Sequence, residues 1–314
     1  MAPPQGVDPS GGSLKHLALV GCTASGKSAL AVELAKRAGN IEILSGDSMQ
    51  VYRYMDIGTA KATSKQRGEV AHHLLDLTDP DDDFDVTRWV SEARAVLADI
   101  EARGSVALLV GGSGLYVQAL LDGLDPPGRW PEIAAELEKE PDTERLYRRL
   151  ELVDPLGASR MEPTNRRRVL RALEATLGSG RPFSSFGPGL GSYPPTSWHL
   201  AGLWLPRPVV AERISLRLQS MLAEGFVEEV RTLLERPQGW SRTARQALGY
   251  RELAAHLERD VPLDQAVALA ESHTRRFSVR QRSWWRRDPR ITWYETAENP
   301  LAVAEAILRD WKRR

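Results

Sequence analysis

One stretch near the start of the chain combines the residue types and the spacing that bind phosphate. Residues 21–28 read Gly-Cys-Thr-Ala-Ser-Gly-Lys-Ser, between an apolar run and a helical pattern. Backbone N–H groups of such a loop and of the following helix point at one spot and favour an anion there. A glycine- and serine-rich turn that matches by chance is the alternative, and the flanking strand and helix patterns count against it. The predicted phosphate-binding loop (P-loop) consists of Gly21, Cys22, Thr23, Ala24, Ser25, Gly26, Lys27 and Ser28.

Polar residues follow two further apolar runs, where strands of the same sheet are predicted to end. Asp47 follows residues 41–44, and Ser113 follows residues 106–110 and two glycines. Ligands of open α/β sheets lie beyond the carboxyl ends of the strands, which brings both residues towards the P-loop. Asp47 is therefore a candidate general base and, with Ser28, a candidate Mg²⁺ ligand. Ser113 is a candidate hydrogen-bond donor to a ligand. Helix capping is the alternative role for each.

The second of these strands lacks the acidic residue at which a Walker B strand of a hydrolysing NTPase usually ends. It ends in glycines and a serine instead, which counts against hydrolysis of a nucleoside triphosphate. Arg213 and Arg217 are four residues apart in a predicted helix and share a face, so they are candidate diphosphate contacts. A solvated face is an equally good interpretation of that pair.

Basic charge is concentrated in two places, although the chain as a whole is neutral, with 42 Lys and Arg against 42 Asp and Glu. One cluster contains residues 166–168 and Arg171. The other spans residues 274–290 and contains seven arginines interleaved with Phe277, Trp284 and Trp285. Arginine neutralises phosphates and aromatic rings stack on unpaired bases, so the two clusters predict an RNA partner. A solvated charged face is the alternative.

The order of the elements predicts an α/β fold, a P-loop NTPase-like parallel sheet flanked by helices with a helical insertion domain. The core is expected over residues 14–124 and 199–314, and the insertion, flanked by proline- and glycine-rich segments, over 125–198. Residues 1–13 are interpreted as a disordered leader. The single cysteine excludes an intramolecular disulfide and a cysteine-based zinc site. No run of about 18 apolar residues exists, so we expect no membrane contact and a cytoplasmic protein.

Several motifs together resemble the bacterial tRNA dimethylallyltransferases, over most of residues 16–293. The generic P-loop is joined by Ser-Gly-Asp-Ser-Met-Gln-Val-Tyr at 45–52, Met-Asp-Ile-Gly-Thr-Ala-Lys at 55–61 and Leu-Val-Gly-Gly-Ser-Gly-Leu-Tyr at 109–116. His-His-Leu-Leu-Asp at 72–76, Ala-Leu-Gly-Tyr-Arg-Glu at 247–252 and Arg-Gln-Arg-Ser-Trp at 280–284 complete the set. The second, third and fourth of these motifs, in this order, make the resemblance specific.

The resemblance implies transfer of a dimethylallyl group from dimethylallyl diphosphate to N6 of the adenosine next to the anticodon. The P-loop and Mg²⁺ then hold the leaving diphosphate, Lys27 and Ser113 act on its oxygens, and Asp47 takes the N6 proton. The implied partner is the tRNA anticodon stem-loop, and we expect a monomer. The implied tRNA contacts are Asp47, Ser48, Met49, Gln50, Ser113, Arg167, Arg168, Arg171, Gln246, Gly249, Tyr250, Arg251, Gln281, Trp284 and Arg286.

This chain departs from the family's usual pattern at three positions, Cys22, Tyr54 and Ala134. Three rival functions also stay open on the sequence. A P-loop small-molecule kinase shares the early motifs but does not need the arginine- and tryptophan-rich segment. An adenylate isopentenyltransferase shares the chemistry but lacks much of the inserted and C-terminal RNA-binding apparatus. A non-catalytic RNA-binding protein does not need Lys27, Ser28 and Asp47 to be intact.

Overall fold

The structure, a computed structural model, describes residues 16–296 and 298–313. The predicted leader over residues 1–13 lies outside the described residues. The strands are β1 (His16–Val20), β2 (Ile41–Ser45), β3 (His72–His73), β4 (Val106–Gly111), β5 (Trp198–Trp204) and β6 (Thr292–Glu295). They form one parallel six-stranded sheet in the order β3-β2-β4-β1-β5-β6. The predicted parallel α/β sheet is therefore confirmed.

Helices occupy most of the chain between the strands. They are α1 (Lys27–Ala38), α2 (Ser64–Glu69), α3 (Val86–Ala102), α4 (Gly114–Leu121), α5 (Pro131–Glu138), α6 (Thr143–Val153), α7 (Pro155–Ser159), α8 (Arg166–Ser179), α9 (Arg207–Ala223), α10 (Phe226–Leu234), α11 (Arg242–Arg245), α12 (Tyr250–Arg259), α13 (Leu263–Trp285) and α14 (Ala304–Lys312). Short 3₁₀ turns span Phe183–Phe186 and Pro300–Val303. The chain from 207 to 234 forms two helices, because Gly225 adopts a left-handed conformation (φ 100°) between α9 and α10.

The sheet has a continuous apolar interior, which explains why its central strands read as unbroken apolar runs. Leu17 and Leu19 of β1 are buried against Leu30 and Leu34 of α1. Every residue of β5 is buried as well. Strands covered by helices on both faces have no polar side, as is typical of parallel sheets. This packing fixes the carboxyl ends of β1, β2 and β4, where the predicted chemistry is located.

The chain divides into two compact units, and the smaller one comprises Asp122–Pro194. This division lies a few residues before the predicted limits of 125 and 198. The Thr196 hydroxyl donates to the Leu121 carbonyl at 3.4 Å, so residues near 196 already belong to the larger unit. The smaller unit has a core of its own, in which Leu146 and Leu150 of α6 pack with Val169 and Leu173 of α8.

Candidate active site

The P-loop connects β1 to α1 and has the local geometry that an anion site requires. Gly26 precedes α1 with φ 91°, a left-handed conformation that favours glycine. The Lys27 ammonium donates to the Cys22 carbonyl at 2.5 Å and to the Ser25 hydroxyl at 3.3 Å, so it curls back over the loop. Burial lowers the pKa of Lys27 from 10.5 to about 8. The loop therefore holds a poorly solvated cation, which an anionic ligand would stabilise. Ser28 is exposed at the first turn of the helix.

Gln281 and Pro300, both in the C-terminal part of the chain, pack on the P-loop. Pro300 lies so close to Gly26 that a Cβ at Gly26 would be 2.4 Å from its Cγ. The Gln281 side chain of α13 accepts the Thr23 N–H through Oε1 at 2.8 Å. Gln281 is also buried, and a Cβ at Gly112 would lie 2.3 Å from its Nε2. The Gln281 side chain therefore links the P-loop to the end of β4, and its predicted tRNA contact stays a prediction.

The ends of β2 and β4 bring Asp47 and Ser113 together, as the sequence predicted. The Ser48 N–H donates to the Ser113 hydroxyl at 3.4 Å, and the two serine hydroxyls are 3.5 Å apart. The Met49 N–H donates to Asp47 Oδ1 at 2.8 Å, which fixes the orientation of the carboxylate. The Gln50 side chain points the other way, to Ser45 and to the carbonyls of residues 59 and 60. Gln50 is therefore an internal link rather than a side chain free to contact RNA.

A cavity of about 550 Å³ lies beside these strand ends, within the larger unit. Thr23 and Ala24 of the P-loop line it together with Asp47 and Ser113. The polar part of the lining is completed by Ser48, Thr59, Arg217, Gln246, Arg251, His273, Thr274, Arg276 and Arg280. Apolar side chains of α9, α10 and α13, including Ile214, Leu218, Phe226 and Phe277, also contribute. One cavity thus combines an anion site, a carboxylate and an apolar wall.

The two arginines of α9 have separate roles. Arg217 lines the cavity; burial lowers its pKa, and the nearby negative charge of Asp47 opposes that shift. Arg213 donates to the Glu298 carbonyl at 2.8 Å instead and is not among the residues that line the cavity. The proposed pair of diphosphate contacts is therefore reduced to Arg217.

The cluster on α13 divides into inward and outward arginines. Arg282 donates to the Leu205 carbonyl at 2.5 Å and lies over the Trp204 ring at 3.5 Å. Arg290, beyond the helix, is buried against Asp288 at 2.7 Å. Arg276 and Arg280 are exposed and line the cavity, and Arg286 is exposed. Only part of the predicted basic cluster is therefore available to a polyanion.

The cluster on α8 divides in the same way. Arg166 donates to the Glu140 and Pro141 carbonyls. Arg171 donates to the Pro127 and Gly128 carbonyls and is 2.9 Å from Glu174. The predicted RNA contact through Arg171 is therefore weakened, because its guanidinium is held inside the helical unit. Arg167 and Arg168 are exposed.

Residues 246–251 line the cavity, but their aromatic side chain points into the protein. Tyr250 is fully buried, and its ring meets Phe226 edge-on with the centroids 4.8 Å apart. Its side chain is thus part of the wall and not a surface that RNA can reach. Trp284 packs on Gly114, where a Cβ would lie 2.5 Å from the Trp284 Nε1. Gln246, Gly249 and Arg251 remain at the cavity surface.

One residue that lines the cavity and one that supports it escaped the sequence interpretation. His273 lines the cavity from α13, one residue before the basic stretch that did include Arg280. Glu229 was missed because α10 reads as an ordinary amphipathic helix. The helical spacing gives a signal, since Glu229 falls on the same face as Phe226 and Leu233, which are both buried.

The paired histidines His72 and His73 have structural partners. His73 is 2.7 Å from Glu42, and His72 Nδ1 is 2.8 Å from the Val70 carbonyl. Among the described residues no group of three His, Cys, Asp or Glu side chains is arranged to hold a metal. In the same part of the chain, the helices are all too short or too polar to cross a bilayer.

Comparison with known proteins identifies close relatives. The family model described as IPP transferase matches residues 50–288. The tRNA dimethylallyltransferase of Roseiflexus castenholzii is 44% identical over 301 residues, 93% of this chain and 97% of that protein. The tRNA dimethylallyltransferase of Carboxydothermus hydrogenoformans is 40% identical over 306 residues, 95% of this chain and 97% of that protein.

Solved structures show the same architecture. The full-length tRNA isopentenylpyrophosphate transferase of Bacillus halodurans matches with a TM-score of 0.69 at 34% identity, over 96% of this chain and 95% of that one. A eukaryotic dimethylallyltransferase acting on tRNA matches with a TM-score of 0.80 at 23% identity, over 96% and 80% of the two chains. The second likeness concerns the fold alone. The fold is the P-loop NTPase-like parallel sheet that the sequence predicted.

Proposed function

This chain belongs to the IPP transferase family, and we propose that it transfers a dimethylallyl group from dimethylallyl diphosphate to tRNA. The acceptor is N6 of the adenosine 3′-adjacent to the anticodon, and the products are N6-isopentenyladenosine and diphosphate. The bond between C1 of the donor and its diphosphate oxygen breaks, a C1–N6 bond forms, and N6 loses one proton. The observation that carries the proposal is the single cavity in which Thr23, Asp47 and Arg217 meet.

The diphosphate end of the donor binds at the P-loop. Negative charge builds on the diphosphate as the C–O bond breaks, and fixed donors stabilise that charge where it forms. Loop N–H groups, Lys27 and Arg217 are the donors that this chain offers. The poor solvation of Lys27, expressed in its pKa of about 8, strengthens its attraction to the leaving group.

Asp47 is proposed to accept the N6 proton. Its Oδ1 is held by the Met49 N–H, which leaves Oδ2 for the amine. The carboxylate lies near Arg217 and would accept the proton as the amine attacks. Ser113, whose hydroxyl lies 3.5 Å from that of Ser48, is proposed to donate to the diphosphate or to the incoming base.

The donor set near the P-loop fits Mg²⁺. The Ser28 hydroxyl and the Asp47 carboxylate are hard oxygen donors, and Mg²⁺ commonly takes one or two protein oxygens together with substrate phosphates and water. When bound, Mg²⁺ would neutralise charge on the diphosphate.

The target adenosine has to leave the stack of the anticodon loop to reach the cavity. We propose that Arg276 and Arg280 contact the RNA backbone at the cavity, with Gln246, Gly249 and Arg251 near the base. Ser48 and Met49, which follow β2, and Trp284 of α13 remain proposed contacts with the RNA. Arg286 and the exposed Arg167 and Arg168 remain proposed phosphate contacts farther out.

The enzyme is proposed to work as a monomer in the cytoplasm. Sedimentation velocity at working concentration checks this, and a dimer that dissociates with loss of activity contradicts it.

The reaction is tested by the transfer of label from dimethylallyl diphosphate to unmodified tRNA in the presence of Mg²⁺, with free AMP as a parallel acceptor. Label in tRNA alone, at the adenosine beside the anticodon, supports the proposal. Label in AMP moves the activity to free nucleotides. Label in neither acceptor, with ATP consumed on a small molecule, indicates a kinase.

A further inference from the structure

The turn at residues 55–58 borders the cavity, which its last residue, Gly58, and the following Thr59 line. Its three consecutive backbone N–H groups all donate to one carboxylate, that of Glu229 on α10. The Asp56 and Ile57 N–H groups reach Glu229 Oε2 at 2.9 and 2.8 Å, and the Gly58 N–H reaches Oε1 at 3.1 Å.

A fourth donor reaches the same carboxylate from the opposite segment of the wall. The Tyr250 hydroxyl donates to Glu229 Oε1 at 2.6 Å. Tyr250 begins α12, directly after Gly249, and residues 246–251 line the cavity. One partly buried carboxylate therefore joins two stretches of the wall that are far apart in sequence. Glu229 itself is not among the residues that line the cavity.

The packing around this carboxylate leaves little freedom. A Cβ at Gly58 would lie 2.2 Å from the Phe226 ring and 2.5 Å from the Tyr250 ring. A Cβ at Gly249 would lie 2.7 Å from the same Phe226 ring. The Phe226 ring therefore lies between the turn at 55–58 and the segment around Tyr250, and the Glu229 carboxylate joins the two by hydrogen bonds. Movement of the carboxylate has to move both segments, because close-packed groups transmit a shift to their neighbours.

The other end of the turn is fixed independently. The Lys61 ammonium, which is almost completely buried, is 2.6 Å from Asp56 Oδ1 and 2.7 Å from Asp76 Oδ1. It also donates to the Tyr52 carbonyl at 2.7 Å. Loss of the Glu229 carboxylate therefore leaves the turn attached to the protein and loosens only the side that faces the cavity. This separates an effect on the wall from unfolding of the segment.

We propose that Glu229 is a positioning residue for the tRNA substrate: its carboxylate holds the turn at 56–58 and the Tyr250 segment together as one wall of the cavity. The inference rests on the proposed function, which assigns residues 246–251 to the RNA. The P-loop is built from other elements, so the diphosphate site stays intact when the wall loosens. The signature is a selective loss of productive tRNA binding.

The test replaces Glu229 by Gln. The amide has the same shape as the carboxylate, but one acceptor oxygen becomes an NH₂ group, which cannot accept the hydrogen bonds that the carboxylate accepts. A buried donor that loses its acceptor costs on the order of a tenfold to hundredfold loss of function. We expect kcat/KM for tRNA to fall roughly tenfold to hundredfold. We expect the Kd of inorganic diphosphate to change by less than about twofold, since no P-loop contact is altered.

Glu228→Gln is the matched control, the same change one residue earlier on the same helix. Glu228 is exposed and pairs only with Arg231 on the surface, at 3.2 Å, so its substitution leaves both constants as in the wild type. Wild-type protein serves as the second reference. If it transfers no label to tRNA, the proposed function fails, whereas an active wild type with an unaffected Glu229→Gln variant overturns only this inference.

A double-mutant cycle with Tyr250→Phe tests the mechanism. The phenylalanine removes only the hydroxyl that Glu229 accepts. If the two residues act as one unit, the effect of Tyr250→Phe on kcat/KM is smaller in the Glu229→Gln background than in the wild type. Additive effects contradict the proposal. Equal losses of tRNA turnover and diphosphate affinity, with a lowered Tm, also contradict it, because they indicate general destabilisation.

Discussion

At the scale of single residues, Lys27 shows how burial prepares a group for its ligand. Its ammonium donates to a carbonyl and a hydroxyl, and within residues 16–296 and 298–313 no carboxylate is in hydrogen-bond contact with it. The cost of burying this charge appears as a pKa of about 8 instead of 10.5. A diphosphate at the P-loop supplies the counter-charge, so ligand binding and proton binding at Lys27 favour each other.

The first prediction concerns the pH dependence of diphosphate binding. Above pH 8 the free protein increasingly has a neutral Lys27, and binding must then take up a proton. We expect the Kd of inorganic diphosphate to weaken by up to about tenfold per pH unit above pH 8, relative to a Lys27→Met variant. Calorimetry at several pH values measures both proteins. The ratio cancels the titration of diphosphate itself, and a ratio that stays constant to pH 9.5 contradicts the prediction.

The same lowered pKa also affects stability. Diphosphate binding weakens as the pH rises, whereas the contribution of Lys27 to the stability of the folded protein increases. Between pH 8 and 10.5 the unfolded chain holds a proton on Lys27 that the folded chain has lost. The contribution of Lys27 to the free energy of unfolding therefore rises with pH across this window, since the unfolded state binds more protons. Below pH 8 the full cost of the buried charge is present. Denaturant titrations of wild type and Lys27→Met at pH 7.5 and 9.5 should show this difference.

The second prediction concerns Asp47. Asp47→Asn keeps an oxygen for the Met49 N–H, so the turn after β2 is preserved. The amide cannot accept the N6 proton, and we expect kcat to fall by roughly 10²–10⁴. Rapid-quench single-turnover measurements separate this step from product release. A variant that retains wild-type kcat removes Asp47 from the role of base.

At the scale of elements, α13 combines two functions on its two sides. Its buried side carries Gln281, which holds the P-loop, and Trp285 in the core. Its other side carries Arg276 and Arg280 at the cavity. The composition of this helix predicted RNA binding but not which arginines are available. Arginine and tryptophan occur on both sides, and only the packing partners separate them.

The third prediction distinguishes the arginines of α13 by salt. Replacement of Arg276 and Arg280 by Ala should weaken tRNA binding and reduce the slope of log K against log salt by roughly one to two, because each phosphate contact contributes about 0.7–0.9. Arg282→Ala should lower the Tm and leave the slope unchanged, since its guanidinium is bound to the Leu205 carbonyl and to Trp204. Filter binding at 50–200 mM salt tests both. A slope that falls for Arg282→Ala reverses the assignment.

Sequence reasoning recovered the elements that carry strong local signals. The P-loop, β2 with Asp47 and β4 with Ser113 follow from apolar runs that end in glycine or polar residues. It failed where the answer depends on which partner a side chain finds. Arg213 and Gln281 look accessible in sequence, yet a distant carbonyl and a P-loop amide occupy them. Glu229 acts on backbone groups about 170 residues away, a relation that no local pattern contains.

At the scale of the whole molecule, the chain is a P-loop NTPase-like core interrupted by a helical unit. The chain leaves the core after Leu121 and returns to it at Pro195, and the Thr196 hydroxyl donates a hydrogen bond to the Leu121 carbonyl. The ends of the interruption are therefore adjacent within the core. The helical unit has its own apolar cluster, with Leu150 and Val169 fully buried. Each unit thus has the means to stay folded by itself.

The fourth prediction uses that junction. Replacement of Asp122–Pro194 by a short glycine-rich linker should give a core that folds cooperatively and binds diphosphate within about threefold of the wild type, because the P-loop and its partners Gln281 and Pro300 belong to the larger unit. Its tRNA affinity should fall, since Arg167 and Arg168 are removed. Calorimetric unfolding and diphosphate titration test the core. Unchanged tRNA affinity contradicts a role of the helical unit in binding RNA.

The strand order also has a consequence for synthesis on the ribosome. β1 is made first and lies between β4 and β5 in the finished sheet. Its β4 neighbour emerges before the helical unit, but its β5 neighbour begins only at Trp198. At about 5–20 residues per second, translation of the intervening unit occupies roughly 4–15 s. Throughout that interval the nascent chain carries one unpaired edge of a strand that is apolar from Leu17 to Val20, the kind of surface on which chaperones act and aggregation starts.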